Sequence, residues 1–85
     1  MVWHIEGWDS TDLLFERDIP GNMSEGEVER LLQRLVCRDL TPNEVIDASL
    51  RKNSKNRSSL LDRIGSGNPI HIGSNPYYIA TWKRD

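Results

Sequence analysis

Residues 24–38 read Ser24-Glu25-Gly26-Glu27-Val28-Glu29-Arg30-Leu31-Leu32-Gln33-Arg34-Leu35-Val36-Cys37-Arg38, and the rest of the chain has to fold around them. The apolar residues Val28, Leu31, Leu32, Leu35 and Val36 follow an i, i+3, i+4, i+7, i+8 spacing. That spacing puts all five on one stripe of an α-helix. The start is written out as well. Ser24 is a good N-cap, Glu27 completes a capping box, and Met23 before the cap can staple to Val28. Glu25, Glu27 and Glu29 come early and Arg30, Arg34 and Arg38 late, the order that suits the helix dipole. An apolar stripe this wide needs a sheet or a second helix to cover it, so the helix is expected to lid a small core.

The 85 residues are expected to form one domain spanning 1–85. A chain of this size buries only about 60–65% of its unfolded surface. Nothing in the sequence approaches the ~18 apolar residues that cross a membrane, so no membrane partner is expected. Met1-Val2-Trp3-His4-Ile5-Glu6 has neither the basic region nor the apolar run of a secretory signal. The single cysteine cannot close an internal disulfide. These features together point to the cytoplasm. Charge is unevenly spread: residues 1–50 hold 4 Lys/Arg against 11 Asp/Glu, and residues 51–85 hold 7 against 2. The two halves are expected to neutralise one another in the fold, at small gain in stability.

Outward from the helix, Val2 to Trp8 alternates with Trp3 and Ile5 on one face and His4 and Glu6 on the other, as in a half-buried strand. Gly7 to Asp12 supplies turn residues. Leu13, Phe15 and Ile19 share a face of a second strand, with Leu14, Glu16 and Asp18 opposite. Arg17 interrupts the apolar face, which suggests an edge where its stem packs and its head reaches water. Trp8 and Leu14 would then meet on the outer face.

Thr41, Pro42 and Glu44 repeat the capping device, with Leu40 placed to staple to Val45. The second helix fades into the polar run Arg51 to Arg57. A short helical turn is expected after Ser58 or Ser59, with Leu60, Leu61 and Ile64 inward and Gly65 ending it. Pro69 and Pro76 each open a β-rich run and so mark strand starts. Gly73 to Pro76 is short enough to join those runs as a hairpin. The fold class is therefore α+β, in the order β-β-α-α-β-β, with helices packed on one face of an antiparallel sheet. The register of the last strand stays open: Tyr78 with Trp82 on the outer face, or Tyr77 with Ile79.

The candidate chemistry is thin. His4 and His71 are expected on outward strand faces and, with Glu6, could approach a metal if their strands were neighbours. No closely spaced ligand motif supports this, so no metal and no cofactor are expected. Cys37 has Arg38 beside it but lies at a helix C-terminus, where the dipole disfavours a thiolate. Gly65-Ser66-Gly67-Asn68-Pro69 lacks the lysine and the helix of a phosphate loop. No catalytic residues stand out, and an enzyme is not expected.

Arg51, Lys52, Lys55, Arg57 and Arg63 form a basic run within 51–63. The overall pI of 5.6 and the acidic first half weigh against nucleic acid as the partner. All six aromatics lie on or beside strands, more than a small core can enclose. The primary expectation is thus a small non-enzymatic protein-interaction module. It would bind a protein partner, or itself as a weak homodimer, through an uncovered aromatic sheet face carrying Trp8, Tyr78, Trp82, His4 and His71. The alternative is an accessory nucleic-acid-binding protein using the basic run. A small metal protein or enzyme at His4 and His71 is third.

Overall fold

The helix forms where its spacing requires. A computed structural model describing residues 1–85 has α1 at Glu25–Cys37 and α2 at Pro42–Ser49. Both capping boxes are made. Ser24 Oγ accepts from the Glu27 amide at 3.1 Å, and Glu27 Oε1 accepts from the Ser24 amide at 2.9 Å. Those bonds hold the Glu27 carboxyl below its ordinary range. Thr41 and Glu44 reproduce the pair at 3.3 and 2.8 Å.

Four strands, β1 (Val2–Asp9), β2 (Asp12–Pro20), β3 (Ile70–Gly73) and β4 (Tyr77–Lys83), form one antiparallel sheet in the order β2-β1-β4-β3. The fold is α+β in the element order expected. Two details differ. Asp9 pairs with Asp12, so the first hairpin closes over Ser10 and Thr11 alone, with Ser10 at φ 57°. No helix forms after Ser58. The Asp62 amide bonds to Ser59 O in a single turn, Leu61 is buried, and Ile64 is exposed rather than inward. The backbone there pairs with β3 instead: Arg63 bridges to Ile72, and the Ile64 amide donates to His71 O at 2.8 Å. The longer-range competitor won because β3 offers a free edge and the local run has few helix-forming contacts.

The core is built from Trp3 and Ile5 on β1, Val28, Leu32 and Val36 on α1, Ile70 and Ile72 on β3, and Tyr78 and Ala80 on β4. The register of β4 is thereby settled: Tyr78, Ala80 and Trp82 face the helices, and Tyr77, Ile79 and Thr81 face outward. Trp82 packs on Trp3 with ring centroids 4.9 Å apart. The Trp3 indole donates to Met23 O at 3.0 Å and so ties β1 to the entry of α1. The acidic and basic halves meet at Arg63, which lies 3.8 Å from Glu25 and 3.9 Å from Glu29.

α1 packs over β3 and β4. β2 lies at the far edge of the sheet, and all of its residues except Ile19 are exposed. α1 is about 10 Å across and neighbouring strands are about 4.8 Å apart, so it covers about two of the four, and β2 at the far edge lies outside its cover.

Candidate interaction surface

The surface left open is organised by cross-strand rows, because directly paired residues share a face. On the face away from the helices, the first row is Asp18, His4 and Thr81. The second is Glu16, Glu6, Ile79 and His71. The third brings Leu13, Trp8 and Tyr77 together. A register shift after Gly7 makes Leu14 the extra residue of β2 and puts Leu13, not Leu14 alone, opposite Trp8.

Of the residues expected on this face, His4, His71 and Trp8 are there, each half-buried. Tyr78 and Trp82 are on the other side. Tyr78 is 4% exposed, and its ring shares with Phe15 the space over Gly7, where an added Cβ would lie 2.5 Å from Phe15 Cε1 and 3.0 Å from Tyr78 Cε1. Burial first, and then the hydrogen bond its hydroxyl donates to Asp39 Oδ2 at 2.7 Å, push the Tyr78 pKa up to about 12. The aromatics on the open face are Trp8 and Tyr77, the latter packed against the His71 ring at a tilt of 46°, with centroids 4.9 Å apart.

His4 and His71 do not meet, because β4 runs between their strands. The third group beside His4 and Glu6 is Glu16. One ligand atom from each of the three lies within 4.8 Å of the others, the set of residues in this fold that could hold a metal ion. His4 Nδ1 is 2.6 Å from Asp18 Oδ1. An ionised carboxylate only accepts, so Nδ1 carries the proton. The β2 side of the open face is thus lined by the carboxylates of Glu6, Glu16 and Asp18.

On the helix side, β2 and α1 stand apart and leave a cleft of about 390 Å³. Ile5 forms its floor, Phe15, Arg17 and Ile19 one wall, and Met23, Leu31 and Leu35 the other. Arg30 and Arg34 flank Leu31 outside it. These residues were not read from the sequence as a site. The signals were an arginine on an apolar strand face and a helix stripe wider than the column Val28, Leu32, Val36 that the core uses.

The basic run is dispersed by the fold. Arg57 makes a bidentate pair with Asp62 (2.9 and 2.5 Å) and donates to Leu50 O at 3.1 Å. That pair raises the pKa of the guanidinium and lowers that of the carboxyl. Arg63 donates to Gly67 O and faces Glu25 and Glu29. Arg51, Lys52 and Lys55 remain exposed.

The sheet's two edges differ. β3 is four residues long and is closed by Arg63 and Ile64. β2 is nine residues long and pairs only with β1. Comparison with known protein families, with curated proteins and with solved structures finds no match.

Proposed function

We propose that this chain is a non-enzymatic protein-interaction module and that β2, with the cleft behind it, is the working surface. One observation carries the reading. Leu13, Leu14 and Phe15 are consecutive on β2, are 43%, 53% and 37% exposed, and lie on the one bare edge of the sheet. Grouped apolar surface beside unpaired backbone favours contact with another chain. The aromatic part of the open face, Trp8 and Tyr77, continues that surface through Leu13.

A second copy suits this edge poorly. In an antiparallel pair opposite residues share a face, so a two-fold axis has to pass through a residue. An axis at Arg17 sets Arg17 against itself and Glu16 against Asp18. An axis at Glu16 or at Asp18 sets that carboxylate against itself, and an axis at Phe15 or Leu14 runs the pair through the bulge at Leu14 and sets Asp12 against Asp18 or Glu16. Like charges directly opposite are destabilising. A different protein is therefore the favoured partner.

Photo-cross-linking tests the reading. Benzoylphenylalanine placed at Phe15 is expected to capture a protein partner in cell extract, and the same probe at Ile46, an exposed apolar residue on α2, is not. Equal capture from both positions, or none from Phe15, would refute β2 as the working surface.

A further inference from the structure

Resting on that reading of β2, we infer that its occupant is an extended segment of another protein. It adds to the β2 edge as a further strand, with apolar side chains over Phe15 and Ile19 and basic ones opposite Glu16 and Asp18. The backbone supplies the first argument. β2 is extended over nine residues and its outer N–H and C=O groups have no strand beside them, the arrangement that strand addition completes.

Charge supplies the second, and it differs on the two faces. Outward, Glu16 and Asp18 are backed by Glu6, with the His4 ring already engaged by Asp18. A strand laid along β2 places alternate side chains beside those carboxylates, and bases there turn repulsion into attraction. Inward, Phe15 and Ile19 bracket Arg17, with Arg30, Arg34 and Glu27 on the helix beyond. The inward side chains of the added strand then meet apolar, cationic and apolar surface in turn. The pattern that fits is apolar, basic, acidic, basic, apolar. It reads the same in both directions, so the fit does not depend on whether the strand runs parallel or antiparallel.

The cleft agrees with an edge strand that leans its apolar side chains inward. Phe15 reaches across Gly7 towards Tyr78, with ring centroids 6.2 Å apart, and leaves the space between Ile19 and Leu35 open. The same charges that disfavour a second copy select this partner, which is specificity by repulsion as well as attraction.

The test uses short synthetic peptides and the whole chain. The probe is Thr-Ile-Lys-Glu-Lys-Ile-Thr, and the control is its charge-swapped form Thr-Ile-Glu-Lys-Glu-Ile-Thr. Binding is read by fluorescence anisotropy. The probe is expected to bind at least about tenfold more tightly than the control, with the preference shrinking at high salt. N-methylation of alternate backbone nitrogens along the edge facing β2 is expected to abolish binding, because it removes the ladder donors. Glu16→Lys is expected to shrink the preference, because one of the three opposite-charge pairs with the probe becomes a like-charge pair, with circular dichroism confirming that the variant is folded. Equal binding of the two peptides, unchanged binding after N-methylation, or tighter binding of a stapled helical peptide of the probe's composition would each overturn strand addition. Cross-linking at Phe15 with any of those results leaves β2 as the working surface and removes only this inference. Loss of cross-linking removes both.

Discussion

Replacing Tyr78 by Phe should destabilise the fold at neutral pH and stop doing so in alkali. The phenol is 4% exposed and donates to Asp39 Oδ2 at 2.7 Å, and its pKa is pushed up to about 12 against an ordinary value of 10.0. A hydrogen bond to a charged acceptor contributes about 1.5–3 kcal/mol, and the exposed Asp39 can turn to water when the partner is lost, so about 1.5 kcal/mol is expected at pH 8. The folded chain holds the Tyr78 proton more tightly than the unfolded chain does. The linked stability is therefore fully present below pH ~10 and is lost as pH rises through ~12. Between those values the loss follows the ratio of unfolded to folded ionisation, about 1.4 kcal/mol by pH 11. Tyr78→Phe has no such proton to lose. The stability gap between the two proteins should then shrink from about 1.5 kcal/mol at pH 8 to near zero at pH 11. Urea midpoints followed by tryptophan fluorescence at constant ionic strength measure it, and every group other than Tyr78 cancels in the difference. Phenolate absorbance in a Tyr77→Phe background checks the titration directly. A gap that stays constant from pH 8 to pH 11 would refute the argument that burial and Asp39 keep this hydroxyl neutral.

Ser24→Ala and Thr41→Ala should each lower stability by about 1 kcal/mol, since each removes one half of a capping box; unchanged denaturant midpoints would contradict this. Leu32→Ala should cost about 2–5 kcal/mol, because Leu32 is fully buried at the centre of the core, and a calorimetric loss under ~1 kcal/mol would mean that α1 does not pack there. Glu16→Lys should raise stability by about 0.2–1 kcal/mol, because Glu6 is its direct cross-strand partner. A lower midpoint would show that the two carboxylates do not repel.

The fold was legible wherever local chemistry was decisive. Two capping boxes fixed the helix starts, and alternation in β1 sorted Trp3 and Ile5 from His4 and Glu6. Prolines at 69 and 76 marked the strand starts. Pairing across the sheet was not legible. Nothing local says that β4 lies between β1 and β3, and that placement separates His4 from His71; Glu16 meets Glu6 through the bulged register of the β1–β2 hairpin. The inward placement of Tyr78 goes with Gly7, whose missing side chain makes room for the Phe15 and Tyr78 rings. The cleft was hidden for a related reason. Leu31 and Leu35 read as core because they share the helix stripe, and only the offset of α1 towards β3 and β4 leaves them facing an opening.

β2 is where the chain departs from the rules it follows elsewhere. It carries exposed apolar residues on both faces, an arginine on the helix side and a carboxylate opposite another carboxylate. Each is a cost to the isolated fold. Covering the 37% of Phe15 that is exposed would gain roughly 0.6–1.1 kcal/mol, and a basic residue at position 16 would remove the repulsion from Glu6. The bulge at Leu14, the inward Arg17 and the terminal Pro20 also blunt an edge against promiscuous pairing. An edge meant only to be silent would not need Leu13, Leu14 and Phe15 beside those devices. An edge meant only to be sticky would lack Arg17. The two sets of features conflict in an isolated monomer. They agree on a strand that admits one charge pattern: the apolar residues supply the affinity of the proposed partner strand, and Glu16, Arg17 and Asp18 reject the wrong ones.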